Sequence, residues 1–187
     1  MDPRTIIGVF FAGSMLFASA VLAEQRPEQE ILEETTSLET CTEAEVRAWR
    51  FIRVGQARLA LADCSSLSHP FAPPLKLTFA YGREVPGHAF SESAMAMLER
   101  NLDGDSFQAK RDRFEEFNSA YRDTSDGDVY QLHFGSGGEF VLTFNGEVIA
   151  REQGDDFANA YMTIWFGERP FSRPLKTALL EHQGSSE

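Results

Sequence analysis

The stretch Gly127–Leu180, "GDVYQLHFGSGGEFVLTFNGEVIAREQGDDFANAYMTIWFGERPFSRPLKTALL", decides the fold class, and the rest of the chain is read outward from it. Its first part predicts strands. Tyr130, Leu132 and Phe134 alternate with Val129, Gln131 and His133, the period-two pattern of a sheet with two unlike faces. "GSGG" turns the chain into "EFVLTF", and Asn145–Gly146 turns it again into "EVIAREQ". Asn-Gly is the strongest short hairpin signal in the chain, because a type I′ turn needs positive φ at both central positions. The second part predicts two helices. Phe157, Ala160, Tyr161, Ile164 and Trp165 keep helical spacing behind a cap at Asp155 or Asp156. Gly167 suits the position just past a helix end, and Ser172 caps a second helix with Pro174 in its first turn.

Upstream, "CTEAEVRAWR" and "VGQARLALADC" predict a hairpin joined at Phe51–Arg53. Symmetry about that turn sets Cys41 opposite Cys64 and puts Val46, Ala48, Gly55, Ala57, Leu59 and Leu61 on one face. Such a stripe suits the floor of an apolar cleft and equally suits a filled core. After Pro73 and Pro74, which fit only before a strand, Leu75, Leu77, Phe79 and Tyr81 alternate along one face. "FSESAMAMLERNLDG" predicts a helix capped by Ser91 with a Met95, Leu98, Leu102 stripe. A second helix, "DSFQAKRDRFEEFNSAYRD", carries Phe107, Phe114, Phe117 and Tyr121 on its apolar side. Hairpin-joined strands on both sides of helical segments imply an α+β protein with an antiparallel sheet.

The totals narrow the function. The chain has 187 residues, enough for one domain with a proper core. Its 17 Lys+Arg against 29 Asp+Glu give a net charge of −12, so it lacks the basic footprint of a nucleic-acid binder. Residues 1–23 read as a secretory signal peptide: Arg4, an apolar run from Ile6 to Leu22, and "VLA" before a cut after Ala23. An uncleaved membrane anchor is the competing reading of that run. No Cys follows Ala23, so a lipoprotein anchor is not supported. With the leader removed, no membrane span is expected, and the protein is periplasmic or secreted. Residues 24–38 read as an acidic linker or frayed start, and residues 39–187 as the domain. In an oxidising compartment Cys41 and Cys64, the only cysteines, are expected to form a disulfide, with two buried free thiols as the alternative.

Common chemistries are missing. His69, His88, His133 and His182 are scattered, and none forms a close metal pair with another His or Cys. "ERNLDGDSFQAK" imitates a calcium loop, but its first position is Glu99 and its last is Lys110, where an acidic bidentate ligand belongs. It reads as a turn between helices. "FGSGGEF" lacks the P-loop lysine, and no G-x-S-x-G occurs. No cofactor is expected.

In the order "GD", "NG", "FA", "IWFG-x-x-P" and "LK-x-ALL", the quoted stretch resembles the chalcone isomerase-like family, particularly its exported bacterial branch. "WRFIRVGQARLAL" looks like that family's second-strand segment, and the resemblance covers about Cys41 to Leu180. It implies an open-faced β-sandwich: an antiparallel sheet covered on one face by helices, with a cleft between the layers. The family's ring-closing enzymes use a threonine, a tyrosine, a lysine, an asparagine and an arginine. Aligned by the resemblance, Gly55 stands at the threonine, Phe90 at the tyrosine, Ser93 at the lysine and Met97 at the asparagine. Arg47 and Arg50 lie near the arginine's place without fitting its spacing. Ring closure needs donors or positive charge on a developing enolate, and these side chains supply almost none.

The resemblance therefore implies an exported, non-catalytic protein whose cleft holds a small apolar or fatty-acyl ligand. The residues expected at that ligand are Arg50, Gly55, Ala57, Leu59, Phe90, Met97 and Trp165. Plain core packing is the competing reading of Trp165, and a surface position at the hairpin end that of Arg50. Two other functions stay open: an isomerase or lyase of altered chemistry, needing Tyr81, Tyr161 and His133 to converge, and a structural or interaction protein of the envelope with a filled interior.

Overall fold

A computed structural model describes residues 30–48, 52–67 and 72–181. The signal peptide, residues 24–29 of the expected linker, Arg50, His69 and His182 lie outside the described residues. Six strands form one antiparallel sheet in chain order: β1 (Glu39–Ala48), β2 (Ile52–Leu61), β3 (Leu75–Tyr81), β4 (Val129–Phe134), β5 (Glu139–Phe144) and β6 (Glu147–Gln153). The register aligns the apolar alternation of neighbouring strands. Leu75, Leu77 and Phe79 stand opposite Phe134, Leu132 and Tyr130, which in turn oppose Phe140, Leu142 and Phe144. This face is covered by α2 (Gly87–Asn101), α3 (Gly104–Asn118), α4 (Asp155–Phe166) and α5 (Arg173–Leu180). The architecture is the expected α+β open-faced β-sandwich.

Each helix start has an identifiable cause. Asp103 caps α3 by accepting from the Ser106 N–H at 2.9 Å, so the calcium-like stretch is a capped turn between helices. Ser172 caps α5 as expected, accepting from the Leu175 N–H. Two expected caps differ. Helix α2 begins at Gly87, not at Ser91, because the Asp123 carboxylate accepts from the Gly87 N–H at 2.7 Å. A Cβ at residue 87 would lie 2.7 Å from the Tyr121 carbonyl oxygen, so only glycine allows that approach. Helix α4 is preceded by Gly154 at φ 112°, and Asp155 and Asp156 sit in its first turn, favouring the helix dipole without capping. The Asn145–Gly146 turn does take positive φ at both residues, 52° and 83°.

The first hairpin corrects a register and keeps a pairing. Val46 faces Gly55, Ala44 faces Ala57 and Thr42 faces Leu59, a turn placed earlier than the symmetric one expected. Cys41 falls in a register shift between Thr40 and Thr42 and has no ladder partner. The Cys41–Cys64 disulfide still forms, because the chain leaves β2 and doubles back through a 3-10 turn, Cys64–Ser66, capped by Asp63. Of the expected stripe, Val46, Gly55, Ala57, Leu59 and Leu61 are buried, joined by Ala44; the Ala48 side chain lies outside the described part.

The second sheet face is partly covered. Residues 30–36, expected as linker, are helical (α1), with Ile31 and Thr35 buried. The Ser136 N–H donates to the Glu34 carboxylate at 3.1 Å. Thr35 Oγ1 donates to the Ile31 carbonyl and lies 2.6 Å from His133 Nδ1, so the imidazole donates from Nδ1. His133 Nε2 is then a buried acceptor with no partner among the described residues. Burial first, and the neighbouring Lys76 charge second, push His133 down from 6.5 to about 4. The unfolded chain therefore binds a proton between those values that the folded one refuses. Stability attributable to this group is complete above the ordinary value and falls as pH drops toward 4. The slope limit is about 1.4 kcal/mol per pH unit. The urea midpoint of the wild type should drop between pH 7 and 4.5, and His133→Asn should drop less. An equal drop in both refutes this account.

Candidate functional site

Between the sheet and α2 and α4 the two layers do not close. A cavity of about 260 Å³ remains there. Its floor is Val46, Phe79, Tyr81, Tyr130, Leu132 and Leu142; its roof is Ala89, Phe90, Ser93 and Ala94 from α2 with Ile164 and Trp165 from α4. Val54, Val85, Tyr121 and Phe171 complete it, and Phe171, at 40% exposure, marks the mouth. Interlocking aromatic rings hold it open. Phe90 stands edge-on to Tyr81 at 5.2 Å and to Tyr130 at 5.5 Å, and is tilted on Tyr121 at 5.5 Å. Trp165 leans on Phe79 at 5.4 Å. Flat, stiff rings in these orientations cannot fold inward to fill a gap as a leucine would.

The mouth is positioned by a polar clamp. Asn101, at the end of α2, donates to the Arg169 carbonyl at 2.9 Å and accepts from the Arg169 N–H at 2.8 Å. Arg100 donates to the same carbonyl at 2.6 Å and to that of Pro170 at 2.8 Å. Lys176 reaches back to the Gly167 carbonyl at 2.9 Å. Gly167 stands just past the end of α4, as expected, with φ −65°. At this φ the need for glycine is one of space: a Cβ there would lie 2.5 Å from Asn101 Oδ1 and would push the clamp apart. "IWFG-x-x-P" is therefore the cradle of this clamp.

The residues expected at the ligand separate into groups. Phe90 and Trp165 line the cavity, and Ser93 lies beside them. Ala57 and Leu59 are fully buried core beneath the layers and do not line it. Met97 belongs to the clamp, with its sulfur 2.7 Å from Arg100 Nη2. Gly55 lies against β3, where a Cβ would come 2.0 Å from the Ala80 carbonyl oxygen. Tyr81, Tyr161 and His133 do not converge. Tyr81 lines the cavity, Tyr161 is buried behind it, and His133 faces α1 across the sheet. As site residues, Tyr121, Tyr130, Arg100, Asn101 and Lys176 were missed by the sequence reading. Tyr121 was visible only as one member of a helical apolar stripe.

The polar groups of the cavity are few. Tyr130 Oη donates to the Arg122 carbonyl at 2.8 Å and accepts from the Arg122 N–H at 2.7 Å. Tyr121 Oη lies 3.1 Å from Tyr161 Oη, which donates to Asn118 Oδ1 at 2.5 Å. Burial pushes the Tyr81 and Tyr121 hydroxyls well above the usual phenol range, so both stay neutral. No charged side chain among the described residues lines the cavity. Among them there is also no cluster of three or more His, Cys, Asp or Glu able to hold a metal, and no helix long and apolar enough to cross a membrane.

A profile of the chalcone isomerase-like family matches residues 62–181 of the chain. The chain belongs to the chalcone isomerase-like family. Among solved structures, the crystal structure of an Arabidopsis thaliana fatty-acid binding protein aligns with a TM-score of 0.51 at 13% identity. The alignment covers 77% of this chain and 87% of that one. At that identity the likeness establishes the fold. No curated protein matches the sequence.

Within this family fold, Gly55 is more than a missing threonine, because the space a side chain would need is occupied by backbone. We expect Gly55→Thr to gain no isomerase activity and to lower stability by about 1–3 kcal/mol or more, the scale of an overpacked core. A chemical-denaturation midpoint equal to the wild type's would show that β2 and β3 can part more easily than this contact implies.

Proposed function

We propose that the protein is a non-catalytic carrier or receptor that holds a small apolar ligand, of fatty-acyl type, in the cavity between sheet and helices. The observation that carries this reading is the cavity itself: an apolar chamber of about 260 Å³ framed by rigid rings, with one exposed phenylalanine at its mouth. Its volume falls just under the common range for small-molecule sites, about 300–1,000 Å³. Such a chamber favours apolar matter by removing it from water. The fold shared with a protein named as fatty-acid binding supports the same reading. A filled interior, which a purely structural protein would have, agrees less well with this gap. The lack of convergent donors and charge weighs against an altered isomerase or lyase.

Ala94 faces the chamber from α2 and is buried. Ala94→Phe should fill the space. Titration of an apolar fluorescent probe, followed through Trp165 emission, should show saturable binding to the wild type and a loss of at least about tenfold in the variant, 1.4 kcal/mol. Equal binding to both proteins would remove the cavity from consideration.

We further propose that the chain belongs to the exported bacterial branch and works in the periplasm or outside the cell. The apolar leader ending in "VLA" and the pairing of the only two cysteines support this. Amino-terminal sequencing of the protein from its native host should begin at Glu24. An intact leader on the purified protein would instead indicate an anchor.

A further inference from the structure

Among the described residues two large apolar side chains stay exposed, Ile52 at 44% and Phe171 at 40%, and both belong to the mouth of the cavity. Phe171 lines the mouth itself. Ile52 reaches the same side through an irregularity in β2. Val46 faces Gly55 and Arg47 faces Arg53, so Val54 is an extra residue with no ladder partner on β1. Such a bulge re-aims the side chains beside it. Val54 lines the cavity, and Ile52, two residues away along the strand, shares its face. Exposed apolar residues scattered singly are ordinary, but these two stand together at the opening of an apolar chamber. The charge around them is opposite to that of the chain. Within two residues of Val46, Val54 and Phe171 lie Arg47, Arg53, Arg169 and Arg173, against Glu45 alone. All four arginines are exposed. Arg47 and Arg53 share Glu45, at 2.7 and 3.4 Å. The loop that carries Val85 adds one charge of each sign, Arg83 and Glu84. The chain as a whole carries −12.

We infer that the mouth is a docking surface for a lipid bilayer containing anionic lipids, against which the protein takes up or releases its apolar ligand. The inference rests on the reading of the cavity as a ligand site, because an apolar ligand leaves water for a membrane. Ile52 and Phe171 enter the boundary between headgroups and acyl chains, and the arginines meet lipid phosphates, to which a guanidinium donates paired hydrogen bonds. Each arginine near such a surface strengthens binding about fivefold. The overall negative charge does not cancel this, because exposed charges more than about 8 Å apart are largely screened at physiological salt. With the chamber opening onto lipid, the ligand passes without crossing water. A second copy of the chain is the poorer occupant: a twofold axis would set one arginine-rich rim against another.

The test is flotation of the protein, as purified from its host, with vesicles of phosphatidylcholine and of a phosphatidylcholine–phosphatidylglycerol mixture. Binding to the mixed vesicles should exceed binding to the neutral ones and weaken as salt rises. Ile52→Ser should lower affinity for the mixed vesicles about 3- to 10-fold. Arg53→Gln and Arg173→Gln should each lower it by up to about fivefold. None of these three side chains lines the cavity, so each variant should bind an apolar fluorescent dye in solution as the wild type does. Arg111→Gln, which removes an exposed charge from α3, should float like the wild type. An equal loss in Arg111→Gln would detach the attraction from the mouth and overturn the inference. Flotation that none of the mouth substitutions alters would overturn it too, as would a dimer in solution that Ile52→Ser dissociates. A protein that binds the dye and neither kind of vesicle overturns the docking surface and leaves the cavity reading standing. If the dye does not bind, the cavity reading falls and the inference falls with it.

Discussion

The register between β3 and β4 is the constraint on which the molecule is built. It places Leu77 against Leu132 and Phe79 against Tyr130, so the apolar sides of two central strands coincide. A slip of one residue would turn Lys76 and Thr78 toward the helices and bury charge without a partner. With that register fixed, β2 and β5 inherit their faces from their neighbours, and the helices have one apolar surface to cover. Rings stand at both ends of this face: Phe134 and Phe140 are fully buried, whereas Phe79, Tyr81 and Tyr130 border the cavity left under α2 and α4.

The helical layer is held at that distance by polar bonds. Asn101 and Arg100 grip the Arg169–Pro170 backbone, tying the end of α2 to the loop between α4 and α5. Thr42 donates to the Leu179 carbonyl at 2.8 Å and fastens α5 over β1. Apolar packing alone is non-directional and would tolerate a small collapse into the chamber. Hydrogen bonds to fixed carbonyls are directional, and losing them at a partly buried site carries a desolvation cost. The clamp thus sets the spacing that packing leaves free.

The two sheet faces carry polar groups differently. On the covered face, the Tyr121 and Tyr161 hydroxyls lie within hydrogen-bond distance of each other, Tyr161 also bonds Asn118, and Tyr130 bonds the Arg122 backbone. On the other face, His133 is enclosed by α1 with one nitrogen satisfied by Thr35. The first arrangement ties the tyrosine hydroxyls to protein partners beside a largely apolar site. The second makes the α1 contact depend on a neutral imidazole. Neither arrangement brings convergent donors or charge to a reacting centre.

Periodicity and local turn chemistry were enough for the sequence to determine the six strands and the helices α2 to α5, though not α1 or the start of α2. The alternation in β3 and β4, the Asn145–Gly146 turn, the Asp103 turn and the Ser172 cap depend on neighbours a few residues away. The motif order in the last third pointed to the family fold for the same reason. Only the tertiary structure decided the rest. Asp123 starts α2 from 36 residues away, and the disulfide closes through a turn, not through strand register. Ile31 and Thr35, in a stretch too acidic to promise burial, are buried because β4 and β5 present His133 and Gly135 to them. At the site, Phe90 and Trp165 were legible as large apolar residues on helix faces. Tyr121, Asn101 and Gly167 were not, because their roles lie in contacts between distant segments, which no local pattern encodes.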